Sequence, residues 1–129
     1  MASNGTITSP NYPSNYENGA ECSWVINVVE GSSVQLTFET FELESSTGCR
    51  YDYIEFRDGS STSPSIGKYC GSTTPSPILS SGRSLFVKFH SDGSRTMKGF
   101  KAKFITVATP TNPPLGKNVI KNEYITITL

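Results

Sequence analysis

Apolar residues recur at every second position through most of this chain, and that period limits what it can become. In "SVQLTFE" Val34, Leu36 and Phe38 alternate with Gln35, Thr37 and Glu39. In "YDYIEF" Asp52, Ile54 and Phe56 share a face, and in "SLFVKFH" Leu85, Val87 and Phe89 do. "GFKAKFITV" sets Phe100, Ala102 and Phe104 against Lys101 and Lys103, and "CSWVINVV" groups Trp24, Ile26 and Val28. Successive side chains of a strand point to opposite faces, so each run is a strand with one face on a core. Asn18-Gly19, Glu30-Gly31, Asp58-Gly59, Ser81-Gly82 and Asp92-Gly93 fall between the runs as turn signals. No apolar pattern of helical period is long enough to compete. Short strands between turn clusters predict an all-β fold, an antiparallel β-sandwich of jelly-roll type.

The 129 residues suit one domain with a modest core. Eleven basic residues balance eleven acidic ones, and no Lys/Arg run occurs, so nucleic acid is not expected as a partner. No apolar window is long enough to span a bilayer. "MASNGTITSP" has no apolar leader core and runs straight into strand-like sequence, so Met1 reads as an expression start. Few charges with abundant Ser, Thr, Gly, Asn and Pro point to an extracellular β-domain, either secreted or part of a cell-surface protein. Residues 4–107 are expected to form the domain. Beyond Val107, "ATPTNPPLGKN" reads as a Pro-rich linker, and "VIKNEYITITL" as an appended strand or the start of a neighbouring domain.

Three cysteines leave one over. A Cys49–Cys70 bridge would close a loop worth about 3 kcal/mol in the chain-entropy model. Cys22 is then either buried and reduced or paired outside this chain. Asn4-Gly5-Thr6 is a sequon, which makes Asn4 a glycosylation candidate.

The stretch "SSTGCRYDYIEFRDG" raises the question of function. Asp52 shares its pleat with Ile54 and Phe56, so it points toward the core, and Glu44 stands eight residues before it. Asp92 opens an Asp-Gly turn elsewhere. Such carboxylates are either solvated edge residues or converge on something positive. A hard cation such as calcium takes 6–8 oxygens and would remove the repulsion between three carboxylates on separate loops. The single histidine, His90, alternates opposite Phe89 and is expected at the surface, without partners for a zinc site. Trp24 reads as core. Tyr51 and Tyr53 lie on the non-core face, where they either pack or form a binding surface. No nucleophile elbow, triad, phosphate loop or paired acid–base carboxylates are visible, so no enzymatic activity is expected.

"NGTITSPNYPSNYENGAECSW", "FELESSTGCRYDYIEFRDG", "GKYCG", "LFVKFHSDGS" and "KGFKAKF", in this order, resemble a CUB domain over about residues 4 to 107. The resemblance implies a jelly-roll sandwich and a third-to-fourth cysteine bridge, Cys49–Cys70, with Cys22 matching a second cysteine whose partner would precede Asn4. It implies a calcium (Ca2+) site made of Glu44, Asp52, Asp92 and the Ser94 carbonyl, with Tyr16 steadying the glutamate. In related complement and developmental-protease domains, carboxylates of this site also face a basic side chain of a partner. The expected function is therefore a calcium-dependent protein-interaction module for an extracellular protein with exposed Lys or Arg. The alternatives are a carbohydrate-binding module of the spermadhesin-like branch and a calcium-stabilised spacer in a multidomain protein.

Overall fold

A computed structural model describes residues 3–108. Of the linker and appended strand, or neighbouring-domain start, expected over residues 108–129, all but Ala108 lies outside the described residues. Among the described residues eight strands follow one another: β1 (Asn4–Thr8), β2 (Glu21–Asn27), β3 (Ser32–Glu42), β4 (Tyr53–Arg57), β5 (Ser65–Tyr69), β6 (Ile78–Leu79), β7 (Ser84–His90) and β8 (Gly99–Ala108). They form two four-stranded sheets, ordered β1-β8-β3-β6 and β2-β7-β4-β5. Every pairing is antiparallel. The result is the sandwich that the period of two predicts.

The apolar face of each strand supplies the core. Leu36, Phe100 and Ala102 from one sheet meet Ile54, Phe56, Val87 and Phe89 from the other, all fully buried. Edge-to-face rings stitch the sheets together: Phe89 lies 5.6 Å from Phe100, and Phe38 lies 6.0 Å from Phe56. That geometry sets the positive edge of one ring on the negative face of the next.

One strand changes parity midway. The β3–β8 register shifts between Phe38 and Thr40, so Glu39 sits in a bulge. Before it the even positions Val34 and Leu36 match positions facing the core, and after it Phe41 and Leu43 do. A bulge adds one residue to one strand only and so flips every later side chain. Glu39 itself turns outward, 3.7 Å from Lys101 and 3.1 Å from Lys103.

Trp24 differs from expectation. It is half-buried, because β2 is an edge strand and the indole has no strand beyond it. It meets Phe100 edge-on at 6.0 Å and lines an open groove with Ile7, Phe104 and Arg83. Strands β5 and β6 carried little sequence signal: in β5, Gly67 takes an inward position, and β6 has two residues.

Cys49 and Cys70 form a disulfide with their Cα atoms 5.5 Å apart. It joins the 3-10 turn Thr47–Cys49, which follows β3, to the residue after β5. Beside it, Leu43 N donates to Gly71 O at 2.9 Å. The bridge therefore anchors the β3–β4 connection to the second sheet. Replacing both cysteines by alanine should lower the unfolding free energy by about 3 kcal/mol. Urea unfolding of the double variant checks this, and an unchanged midpoint would contradict it.

Candidate metal centre

Three connections meet at one end of the sandwich. Residues 9–20 run from β1 to β2, residues 43–52 from β3 to β4, and residues 91–98 from β7 to β8. Glu44 stands two residues past β3, Asp52 just before β4 and Asp92 two residues past β7. One carboxylate oxygen from each lies within 4.8 Å of the other two. Asp52 is fully buried, Glu44 is 7% exposed and Asp92 is half-buried.

Asp52 is held by donors on both oxygens. The Tyr16 hydroxyl donates to its Oδ2 at 2.6 Å, and the Asp92 amide donates to its Oδ1 at 2.9 Å. The same Tyr16 hydroxyl accepts from the Glu44 amide at 3.3 Å. Tyr16 thus grips Glu44 by its backbone and Asp52 by its carboxylate, whereas the resemblance assigns it to the glutamate alone. Its ring is buried edge-on to Phe89 at 5.0 Å. Burial, followed by the bond to Asp52, pushes the phenol well above the usual tyrosine range, so it stays a donor.

Glu44 is different. Its Oε1 is the one buried side-chain oxygen or nitrogen without a hydrogen-bond partner among the described residues. A buried acceptor left unpaired costs free energy, and a buried carboxylate more. Desolvation raises its carboxyl above the ordinary value, and the charges of Asp52 and Asp92 raise it further. Burial also raises Asp52, offset in part by the Tyr16 and Asp92 bonds. Two acids whose charged forms are disfavoured, each facing other carboxylates, make a site short of positive charge. The donors are all oxygen, with no imidazole or thiolate in the cluster, which suits a hard cation.

The Asp92 loop owes its place to contacts that local sequence does not advertise. Gly19 N donates to Asp92 O at 2.8 Å, and Tyr16 N donates to Met97 O at 3.0 Å. Buried Ser91 accepts from Ala20 N at 2.8 Å and donates to Glu17 O at 2.7 Å through its hydroxyl. The positive φ of Gly19 (71°) allows the turn that aims its amide inward. Ser94 is exposed, and its amide donates to Asp92 Oδ1 at 3.3 Å.

The remaining sequence candidates lie elsewhere. His90 is half-buried on the outer face of the second sheet, paired with Glu21 and stacked on Tyr53 at 5.0 Å. Lys68 Nζ sits 4.2 Å from the Tyr53 ring centroid. Tyr51 is exposed. Cys22 is a half-buried free thiol, pushed up by burial and then by Glu21 and Glu17, so it stays protonated. Asn4 is exposed on β1.

Known proteins share this framework. A family model described as CUB domain matches residues 1–104. Tolloid-like protein 2 of Mus musculus is 44% identical over 99 residues, which cover 76% of this chain and 10% of that protein. The chain thus spans about a tenth of the length of that curated relative. The full extracellular region of zebrafish Gpr126/Adgrg6 superposes with a TM-score of 0.76 and 39% identity, covering 83% of this chain and 14% of the other. The MASP-1 CUB2 domain bound to Ca2+ gives a TM-score of 0.74 and 37% identity over 81% of this chain and 94% of its own. The chain belongs to the CUB domain family and is an extracellular domain of it.

Proposed function

We propose that residues 4–107 form a calcium-dependent protein-interaction domain that receives a Lys or Arg side chain of an extracellular partner. Glu44, Asp52, Asp92 and the Ser94 carbonyl hold Ca2+ in this reading, with Tyr16 as the supporting donor. The observation that carries it is the buried Glu44 Oε1, unpaired beside two further carboxylates. Calcium supplies the missing positive charge and ties the three loops together. Glu44 and Asp92 remain the outer members of the cluster, where a carboxylate oxygen can accept a charge-assisted bond from a partner's ammonium or guanidinium. The chain's contribution to affinity is preorganisation: a loop already ordered costs less to bind. The Ca2+-bound MASP-1 domain supports the metal assignment.

The glycan reading is less favoured. The Tyr53 ring is already stacked on His90 and capped by the Lys68 ammonium, so it is a poor platform on which a sugar could stack.

Calorimetric titration of metal-stripped protein with calcium tests the site. Saturable one-site binding is expected, at roughly 10⁻⁴–10⁻³ M or tighter, as in extracellular calcium modules. Absence of binding would end the proposal. Capture of a lysine-rich test protein with and without chelator tests the partner class, and capture that ignores chelator would overturn that half.

A pH dependence follows from the same acids. Glu44 and Asp52 titrate above their ordinary values of 4.5 and 3.8, so the metal-free fold holds protons that the unfolded chain releases. Its stability from these groups is full below those values and is lost as pH rises through the raised ones. Calcium competes with those protons. The difference in Tm between calcium and chelator should therefore widen from about pH 4 to pH 7. Calorimetric scans across that range check the sign, and a narrowing gap would refute it.

A further inference from the structure

We propose that Asn4 carries an N-linked glycan that shields the exposed apolar side chains Ile105 and Leu79 on the first sheet and the open edge of β1. The sequon Asn4-Gly5-Thr6 lies on β1, with Asn4 and Thr6 both exposed on the outer face. The Asn4 amide nitrogen is not tied into the fold, meeting Ser3 Oγ at 3.5 Å. Its side chain is therefore free to project a large substituent.

Register shows what that substituent would cover. Asn4 pairs with Ile105, Ile105 with Gln35, and Gln35 with Leu79, in one row across the sheet. Ile105 is 47% exposed and Leu79 is 49% exposed. Strands lie about 4.8 Å apart, so the row from Asn4 to Leu79 spans about 14 Å, a distance that a branched oligosaccharide of a few sugars covers. On the other side of this row the face is hydrophilic, with Thr6, Thr8, Lys101 and Lys103 in the neighbouring rows, while Val107 follows Ile105 on the same face of β8.

The edge makes the same case. Among the described residues β1 pairs with β8 on one side and with no strand on the other. An open edge invites pairing with another chain unless it is short, charged, bulged or covered. The other edges use such devices. β6 has two residues, β5 carries Lys68 and lies against an irregular register at Phe56/Arg57, and β2 opens with Glu21. β1, "NGTIT", has no charge, proline or bulge. A glycan on its second-sheet-distant face supplies cover and bulk at that edge.

The modification is a transfer from a polyprenyl-pyrophosphate-linked oligosaccharide of the secretory lumen. The Asn4 amide nitrogen bonds to C1 of the first N-acetylglucosamine, the C1–O bond to pyrophosphate breaks, the lipid pyrophosphate leaves, and one amide proton is lost.

Secretion of the full chain from eukaryotic cells behind a cleavable signal leader, with intact mass before and after peptide N-glycosidase F, tests the site. The expected result is a glycan mass that the enzyme removes, leaving Asp at position 4, and that is absent from Thr6→Ala. An unmodified Asn4 in the secreted protein overturns the proposal. Sedimentation then tests the shield: Thr6→Ala, which is bare and uncharged at position 4, should self-associate with a constant about tenfold higher than glycosylated protein, whereas enzyme-treated protein, with Asp at position 4, keeps a charge at the edge and should stay monomeric. Asn4→Lys, which lacks the glycan but charges the edge, should return to the monomer. Equal self-association of glycosylated and bare protein would overturn the shielding role, as would an Asn4→Lys variant that associates like Thr6→Ala.

Discussion

Asp52→Ala should abolish calcium binding and also weaken the fold without metal. The carboxylate is fully buried and accepts from both the Tyr16 hydroxyl and the Asp92 amide. Truncation strands two donors in the interior, and bonds to a charged group contribute about 1.5–3 kcal/mol each. The buried charge also carries a desolvation cost, which holds the Asp52 carboxyl above the ordinary aspartate range, and its removal offsets part of that loss. The net destabilisation should be roughly 2 kcal/mol, a fall in Tm of about 10 °C for a domain of this size. Asp52→Asn separates the two roles. It keeps the volume and an acceptor, and the Tyr16 hydroxyl can turn to accept from the new amide. It should fold nearly as stably as the parent in chelator yet fail to bind calcium. Calorimetry and thermal scans on the two variants decide: calcium binding retained by either would remove Asp52 from the ligand set.

Gly99→Ala should be the most damaging single change outside the metal cluster. Gly99 opens β8 at φ 90°, a region that side chains with a Cβ avoid. A Cβ there would run into the Ser9 hydroxyl and lie 2.7 Å from Ser9 Cβ and 3.3 Å from the Tyr16 ring. Ser9 cannot retreat, since its hydroxyl accepts from Phe100 N at 3.0 Å and its amide donates to Phe100 O at 3.1 Å. Left-handed strain of about 1–2 kcal/mol adds to overpacking of about 1–3 kcal/mol. Against a total of about 5–15 kcal/mol, the variant should melt far below the parent or fail to fold. Ser9→Gly in that background removes the collision but not the strain, and should recover part of the loss. A Gly99→Ala protein as stable as the parent would show that the β1–β2 connection yields more than its hydrogen bonds allow.

Much of this was legible in the chain. Strict alternation located β2, β3, β4, β7 and β8, because each buries one full face. It failed at the margins for the same reason. Trp24 belongs to the inward parity but sits on an edge strand, so parity alone overstates its burial. Strands β5 and β6 are too short or too glycine-interrupted to show a period. The bulge could be read from the three-residue step between Phe38 and Phe41, a break in alternation inside an apolar run. At the site, the shared pleat of Asp52 with Ile54 and Phe56 announced a buried acid. The Tyr16 bond to that acid, and the grip of Gly19 and Ser91 on the Asp92 loop, left no such mark. They join positions 36 to 74 residues apart, and several run through backbone atoms that every residue possesses.

That reach through the chain bears on how the domain comes together. Tyr16 comes from the first connection, Asp92 from the last, and β1 zips residue 4 against residue 105. No fragment that lacks either end can assemble the three carboxylates around Tyr16. The contacts are long in sequence, so they close late, after the loop entropy of nearly the whole domain has been met. An ion that binds here therefore has almost no affinity for the unfolded or half-formed chain. Its entire binding free energy goes to the finished state, about 2.7 kcal/mol at a free concentration of 100 times Kd. In a calcium-rich fluid the site would act as a latch that engages only once the first and last strands of the domain have come together.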